Sequence, residues 1–153
     1  MTTSSVPIQL KKLYETDENL WLEEMIKLLR ENRLEELDID NLIEELESLS
    51  KRDKNRVVSL LRQIIIHLLL LEYWQEEYQY NHRHWQGELA NFRVQLHRSL
   101  TTNLKQYLLE NKEEIYQEAV FIVIQKTGLK LETFLINCPY TLEELLDQNY
   151  LTN

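Results

Sequence analysis

The chain has 153 residues, a formal charge of −9, 43% hydrophobic residues, two glycines and two prolines. This length suits one ordinary core, and so few turn residues exclude a sandwich, a barrel or a Gly-rich phosphate-binding sheet, which need many tight turns. The negative balance argues against indiscriminate binding to nucleic acid or anionic lipid. The lone cysteine, Cys138, leaves no internal disulfide, and with no basic start leading into an apolar run a cytoplasmic location is expected.

The first thirteen residues read as a loosely ordered start, small and polar over Met1 to Ser5 and followed by Pro7. A helix is predicted after Thr16 or Asp17, either of which can cap it, with Trp21, Met25, Leu28 and Leu29 on one face to about Glu31. Further caps stand at Asp38 to Asn41. From there Leu42, Leu46, Leu49, Asp53, Val57, Leu60, Ile64, His67, Leu71 and Trp74 recur at threes and fours. That period predicts one central helix of about 35 residues, roughly 50 Å long. Its weak point is Lys51 to Arg56, charged at five of six positions, where a bend is allowed. The run Ile64 to Leu71 is eight residues long and holds His67; a bilayer span takes about 20, so a buried helix segment is predicted and no membrane is implied.

The apolar pattern lapses over Tyr78 to Arg83 and resumes through Trp85, Leu89, Phe92, Leu96 and Leu100. Thr101 to Asn103 offer a cap for a helix over Leu104 to Lys126, which Gly128 should stop in the left-handed conformation. Val120 to Ile124 is locally strand-like, but no partner strand is available and helix is preferred. After Pro139, Thr141 and Glu144 form a capping box for a short last helix through Asp147. The prediction is therefore an all-α, single-domain bundle over 14–153, with four main helices, a long central helix and a short C-terminal helix.

Charge is unevenly spread. Glu15 to Glu47 carries 13 acidic and 3 basic residues, whereas His82 to Lys105 has Arg83, Arg93, Arg98 and Lys105 against Glu88 alone. Four histidines raise a metal site, since bundles build them from His and Glu three or four apart on facing helices. Only His84 and Glu88 make such a pair, and His67 has no carboxylate at those offsets. His67, His84 and Glu88 are thus weak metal candidates, and His67 reads first as a hydrogen-bonded core or interface residue. Glu44, Glu45, Glu47, Glu72 and Glu76 are similar to the carboxylates of helical pyrophosphohydrolases, but they fall on one helix instead of two facing ones. A solvated acidic face explains them better.

Tyr73, Trp74, Tyr78, Tyr80 and Trp85 place five of fourteen aromatic residues within thirteen positions beside His82, Arg83 and His84. Such a cluster packs helix ends, anchors a protein interface or stacks single-stranded nucleic acid, with packing or oligomerisation first. Nucleophilic catalysis has no support, because Cys138 lacks a local basic group and no serine stands in a glycine-flanked elbow. A packed thiol is expected, with no catalytic residue and no cofactor.

Tyr14-Glu15-Thr16-Asp17 leading to Leu20-Trp21-Leu22, with Leu37-Asp38 and the run Asn41 to Leu49, resembles the start of a bacterial family known as domain of unknown function 29. His67-Leu68-Leu69 with Trp74, Thr127-Gly128-Leu129 with Phe134, and Cys138-Pro139-Tyr140-Thr141-Leu142 with Leu145-Leu146-Asp147 are similar to the rest of its pattern. Where the family pattern commonly has a glycine, this chain has Ser50, which favours an unbroken central helix. The resemblance implies a helical fold and brings no activity or catalytic residues. The expected function is a non-enzymatic protein-interaction or self-associating module, its partner a second copy or another protein. A metal-binding bundle or metal-dependent hydrolase is the alternative, and a nucleic-acid-facing regulator using Arg83, Arg93 and Arg98 is third.

Overall fold

The structure, a computed structural model, describes residues 5–151. Six α-helices follow in order: α1 (Ser5–Thr16), α2 (Glu18–Arg30), α3 (Ile39–Tyr73), α4 (Gln75–Ser99), α5 (Thr102–Thr127) and α6 (Leu142–Leu146). Single 3-10 turns lie at Leu34–Glu36 and Leu131–Thr133, and no strand occurs among the described residues. The all-α reading holds, with α3 as the predicted long helix and α6 as the short last one. Among the described residues no helix is long and apolar enough to cross a membrane.

The chain divides into two compact units, Met1–Lys51 and Arg52–Asn153. In the first, the expectation of a loose segment over 1–13 falls partly on residues 1–4, outside the described residues. From Ser5 onward the chain is helical, and Pro7 lies in the first turn, where its missing N–H costs nothing. Leu10, Trp21, Met25, Leu28 and Leu37 form this unit's buried core, with Leu13, Tyr14 and Leu42 packed against it. Asp17 caps α2 by accepting from the Leu20 amide at 3.1 Å. Asn32, at φ 56°, takes the left-handed conformation just past the end of α2.

The buried Asp38 carboxylate accepts from the Trp21 indole N–H at 3.1 Å and from the Asn41 amide at 2.8 Å. Its other oxygen, Oδ1, is buried without a partner among the described residues. Leu29, predicted on the buried face with Trp21, is instead 45% exposed. Its position is one residue, about 100°, round the helix from Leu28.

In the second unit the core is built by the C-terminal half of α3 with α4, α5 and the segment after Gly128. Every residue from Ile64 to Leu71 is buried, so this stretch of α3 is enclosed on all sides, the expected setting for a helix apolar all round. Lys51 to Arg56 is helical without interruption. Of the predicted apolar stripe of α3, Leu42 packs on the first unit's core and the residues from Val57 onward are covered, while Leu46, Leu49 and Asp53 between them are exposed.

The break between α3 and α4 is the single residue Trp74, where φ −91° and ψ 72° leave the helical region. The Gln75 side chain donates to the freed Glu72 carbonyl at 3.0 Å. Tyr78 to Arg83, where the apolar pattern lapses, is fully helical, because its residues are helix-compatible and need no apolar period on a largely solvated turn. Thr101 caps α5 by accepting from the Leu104 amide at 3.2 Å, Gly128 ends it at φ 75°, and the Thr141–Glu144 capping box starts α6. Val120 to Ile124 is helix, as context predicted.

Candidate functional site

Four of the five aromatic candidates are used in packing within the second unit. Trp74 and Trp85 stack with centroids 5.6 Å apart and planes 16° from parallel, Tyr73 meets Phe134 edge-on at 5.0 Å, and Tyr78 stacks on His82 at 4.8 Å. Only Tyr80 stands out, 80% exposed. The cluster therefore closes the one-residue turn between α3 and α4 in place of forming an open aromatic platform.

His67 is buried against Phe92, their rings 5.4 Å apart, and its Nδ1 lies 2.7 Å from the Gln63 carbonyl. A carbonyl only accepts, so Nδ1 carries the proton. Burial lowers the His67 pKa, with the Gln63 bond and the charge of Glu88 acting the other way and Lys126 and His84 adding to the lowering. His84 and Glu88 are thus electrostatic neighbours of His67. Even so, among the described residues no three His, Cys, Asp or Glu side chains are placed to hold a metal ion.

A histidine whose folded pKa lies below its unfolded value of about 6.5 favours the native state while neutral, and that contribution is lost as pH falls from 6.5 through the folded value. The urea midpoint should therefore drop between pH 7.5 and 5.5, and the drop should be smaller in His67→Gln. Equal drops in the two proteins would remove His67 as its source.

Residues that sequence patterns did not single out for this role hold the C-terminal segment in place. Arg93, in the middle of α4, is 0% exposed and directs all three donor nitrogens to backbone carbonyls: Nε to Leu145 at 2.9 Å, Nη1 to Tyr150 at 3.0 Å and Nη2 to Glu144 at 3.1 Å. One turn on, His97 Nε2 donates to the Leu146 carbonyl at 2.7 Å. Together they satisfy the Leu145 and Leu146 carbonyls that the C-terminus of α6 leaves unpaired, and share that of Glu144 with the Asp147 amide, where a cation is also favoured by the dipole. Burial lowers the Arg93 pKa, opposed by the charge of Asp147. Of the three arginines expected to face nucleic acid, Arg83 and Arg98 are exposed but Arg93 is not.

Before α6, the irregular segment 129–141 is fastened to α5 by side chains at two i, i+4 pairs. Lys112 donates to the Tyr140 carbonyl at 2.7 Å and Tyr116 to that of Leu135 at 2.7 Å, while Glu113 accepts from the Cys138 amide at 2.8 Å and Gln117 donates to the Ile136 carbonyl at 2.6 Å. A loop without ladder partners obtains its backbone hydrogen bonds this way. Tyr140 adds a bond from its hydroxyl to Glu72 of α3 at 2.9 Å. Burial first, then the Glu72 carboxylate, pushes the Tyr140 pKa up, and burial pushes Tyr116 up to about 12. Both phenols remain donors at neutral pH. The Cys138 thiol is also pushed up by burial, which disfavours the thiolate a nucleophile needs.

The model for the domain of unknown function DUF29 matches residues 13–151. The chain belongs to the DUF29 family. No curated protein and no solved structure matches it. In this DUF29 chain the residues that carry the resemblance are those that build the fold: Asp17, Trp21, Asp38 and Asn41 organise the first unit, and Gly128, Tyr140, Thr141 and Leu145 organise the C-terminal segment.

The DUF29 fold leaves two shallow clefts on the outer side of α5. One, of about 570 Å³, is lined by Arg62, Gln117, Glu118, Phe121 and Ile122; the other, of about 900 Å³, lies between Gln117 and Val120 of α5 and the segment Leu131 to Pro139. Gln117 is common to both. Phe121 is 64% exposed and Ile136 85%, with Ile122, Leu131 and Leu135 also exposed.

Proposed function

We propose that this protein is a non-enzymatic interaction module that associates with itself through the outer face of α5 and the segment fastened to it. The observation that carries this reading is the group of exposed large apolar side chains, Phe121, Ile122, Leu131, Leu135 and Ile136, around two clefts that share Gln117. Isolated exposed apolar residues are ordinary, but a group edging concave surface marks an interaction site. Charge permits like to meet like here, since residues 112–139 carry three basic and four acidic side chains, with Arg62 of α3 paired to Glu118 at 3.1 Å.

Light scattering across a hundredfold range of protein concentration tests the reading. The wild-type mass is expected to rise to a multiple of 18.6 kDa, and Phe121→Glu, at an exposed position, to hold the protein at the monomer mass. A wild-type protein that stays monomeric throughout would overturn the proposal.

A further inference from the structure

The first unit has a different unpartnered surface, and its charge selects a different occupant. From Ile39 to Ser50, the opening three turns of α3, the sequence contains Asp40, Glu44, Glu45 and Glu47 and no basic residue. Ile39, Ile43 and Leu46, at i, i+4 and i+7, are 48%, 49% and 57% exposed, and the flanking Asp40, Glu44 and Glu47 are exposed as well. The spacing is that of a stripe on which another helix packs lengthwise. The unit beneath has only five buried apolar residues, fewer than the nine large apolar side chains it exposes between Leu20 and Leu49.

We infer that this stripe docks an amphipathic helix of another protein, one that carries Leu or Ile at matching spacing with Lys or Arg along both flanks. Charge complementarity decides the class of partner. The same stripe from a second copy would set Asp40, Glu44 and Glu47 against the same three carboxylates, which disfavours pairing. A cationic helix gains on both counts, covering Ile43 and Leu46 with its apolar face while its flanks meet Asp40, Glu44 and Glu47. The acidic first unit as a whole, with 13 acidic and 6 basic residues over 1–51 against 13 and 11 over the remainder, would also speed its approach.

The test uses the full chain carrying Phe121→Glu, so that self-association through α5 does not interfere, and a fluorescent synthetic 18-residue helix with Leu at i, i+4, i+7 and i+11 and Lys at the flanks. Anisotropy is expected to show saturable binding that weakens as salt is raised. A scrambled peptide of the same composition should bind at least tenfold more weakly, and the same peptide with Glu for Lys should not bind. Adding Ile43→Ser and Leu46→Ser, both at exposed positions, should cost at least tenfold in affinity with the circular dichroism unchanged. Equal binding of ordered and scrambled peptides, or no effect of the two substitutions, would show charge attraction alone and overturn the inference. So would a Phe121→Glu protein that still dimerises until Ile43 and Leu46 are replaced, because a second copy would then occupy the stripe.

Discussion

Arg93→Met is expected to lower the stability of the second unit by roughly 3–5 kcal/mol, the sum of leaving the Leu145 and Tyr150 carbonyls without a donor and removing one of the two donors to Glu144. Methionine fills much of the volume of the arginine stem, so the loss reports the guanidinium and not a cavity. The three bonds converge on Glu144, Leu145 and Tyr150, and the buried Leu142 and Leu145 of α6 depend on that anchorage. The molecule has one way to relieve the orphaned carbonyls, which is to release 142–151 into water and surrender that apolar burial. Hydrogen exchange should accordingly show α6 losing protection while amides of Ile64 to Leu71 keep theirs, with a fall in melting temperature of roughly 6–20 °C. Arg93→Lys should lie between, since one ammonium cannot span the geometry of a planar fork. An Arg93→Met protein as stable as the wild type would mean the carbonyls are satisfied without the clamp.

Nothing in the local sequence marks Arg93 for this role. It falls among Arg83, Arg98 and Lys105, which together read as a basic surface, and its partners lie 51 to 57 residues away. Periodicity reports which face of a helix is apolar, so it finds Leu89 and Leu96 on either side but cannot say that a cation between them is buried against carbonyls. The same holds for Lys112, Glu113, Tyr116 and Gln117, whose paired i, i+4 spacing was available as a signal but whose partners are backbone atoms. By contrast, features with a local cause were readable in place: Thr101 and Thr141 as caps, Gly128 as the left-handed stop, and α3 from its unbroken period of threes and fours.

Leu10, Leu13 and Tyr14 have helical spacing, but Pro7 and the polar start outweighed it, although a proline in a first turn is no obstacle. The aromatic residues from Tyr73 to Trp85 read first as packing or oligomerisation, and a one-residue connection at Trp74 uses most of them in packing by bringing two long helices together at their ends. The exposed apolar residues of α5 and α3 were legible as apolar. Which of them the fold would leave uncovered was not, because coverage depends on neighbours distant in sequence.

Trp21→Ala should unfold the first unit while leaving the second folded. Trp21 is wholly buried and is the largest of the five apolar side chains that make up this unit's core, so its truncation is expected to cost about 3–5 kcal/mol. A core of that size has little stability to spare. The substitution also removes the edge-on contact with Tyr14, at 4.8 Å, and one of the two donors to Asp38, a buried carboxylate that already has an oxygen without a partner among the described residues. Limited trypsin digestion should then cut at Lys27, Arg30 and Arg33 at least tenfold faster, while a fragment containing α4 and α5 survives. Trp21→Phe separates the two losses: it retains most of the packing and removes the indole N–H, for about 1–3 kcal/mol and a smaller rise in cleavage. If Trp21→Ala instead melted in one transition with α4 and α5, and its cleavage sites stayed protected below that transition, the stability of 1–51 would not rest on its own small core.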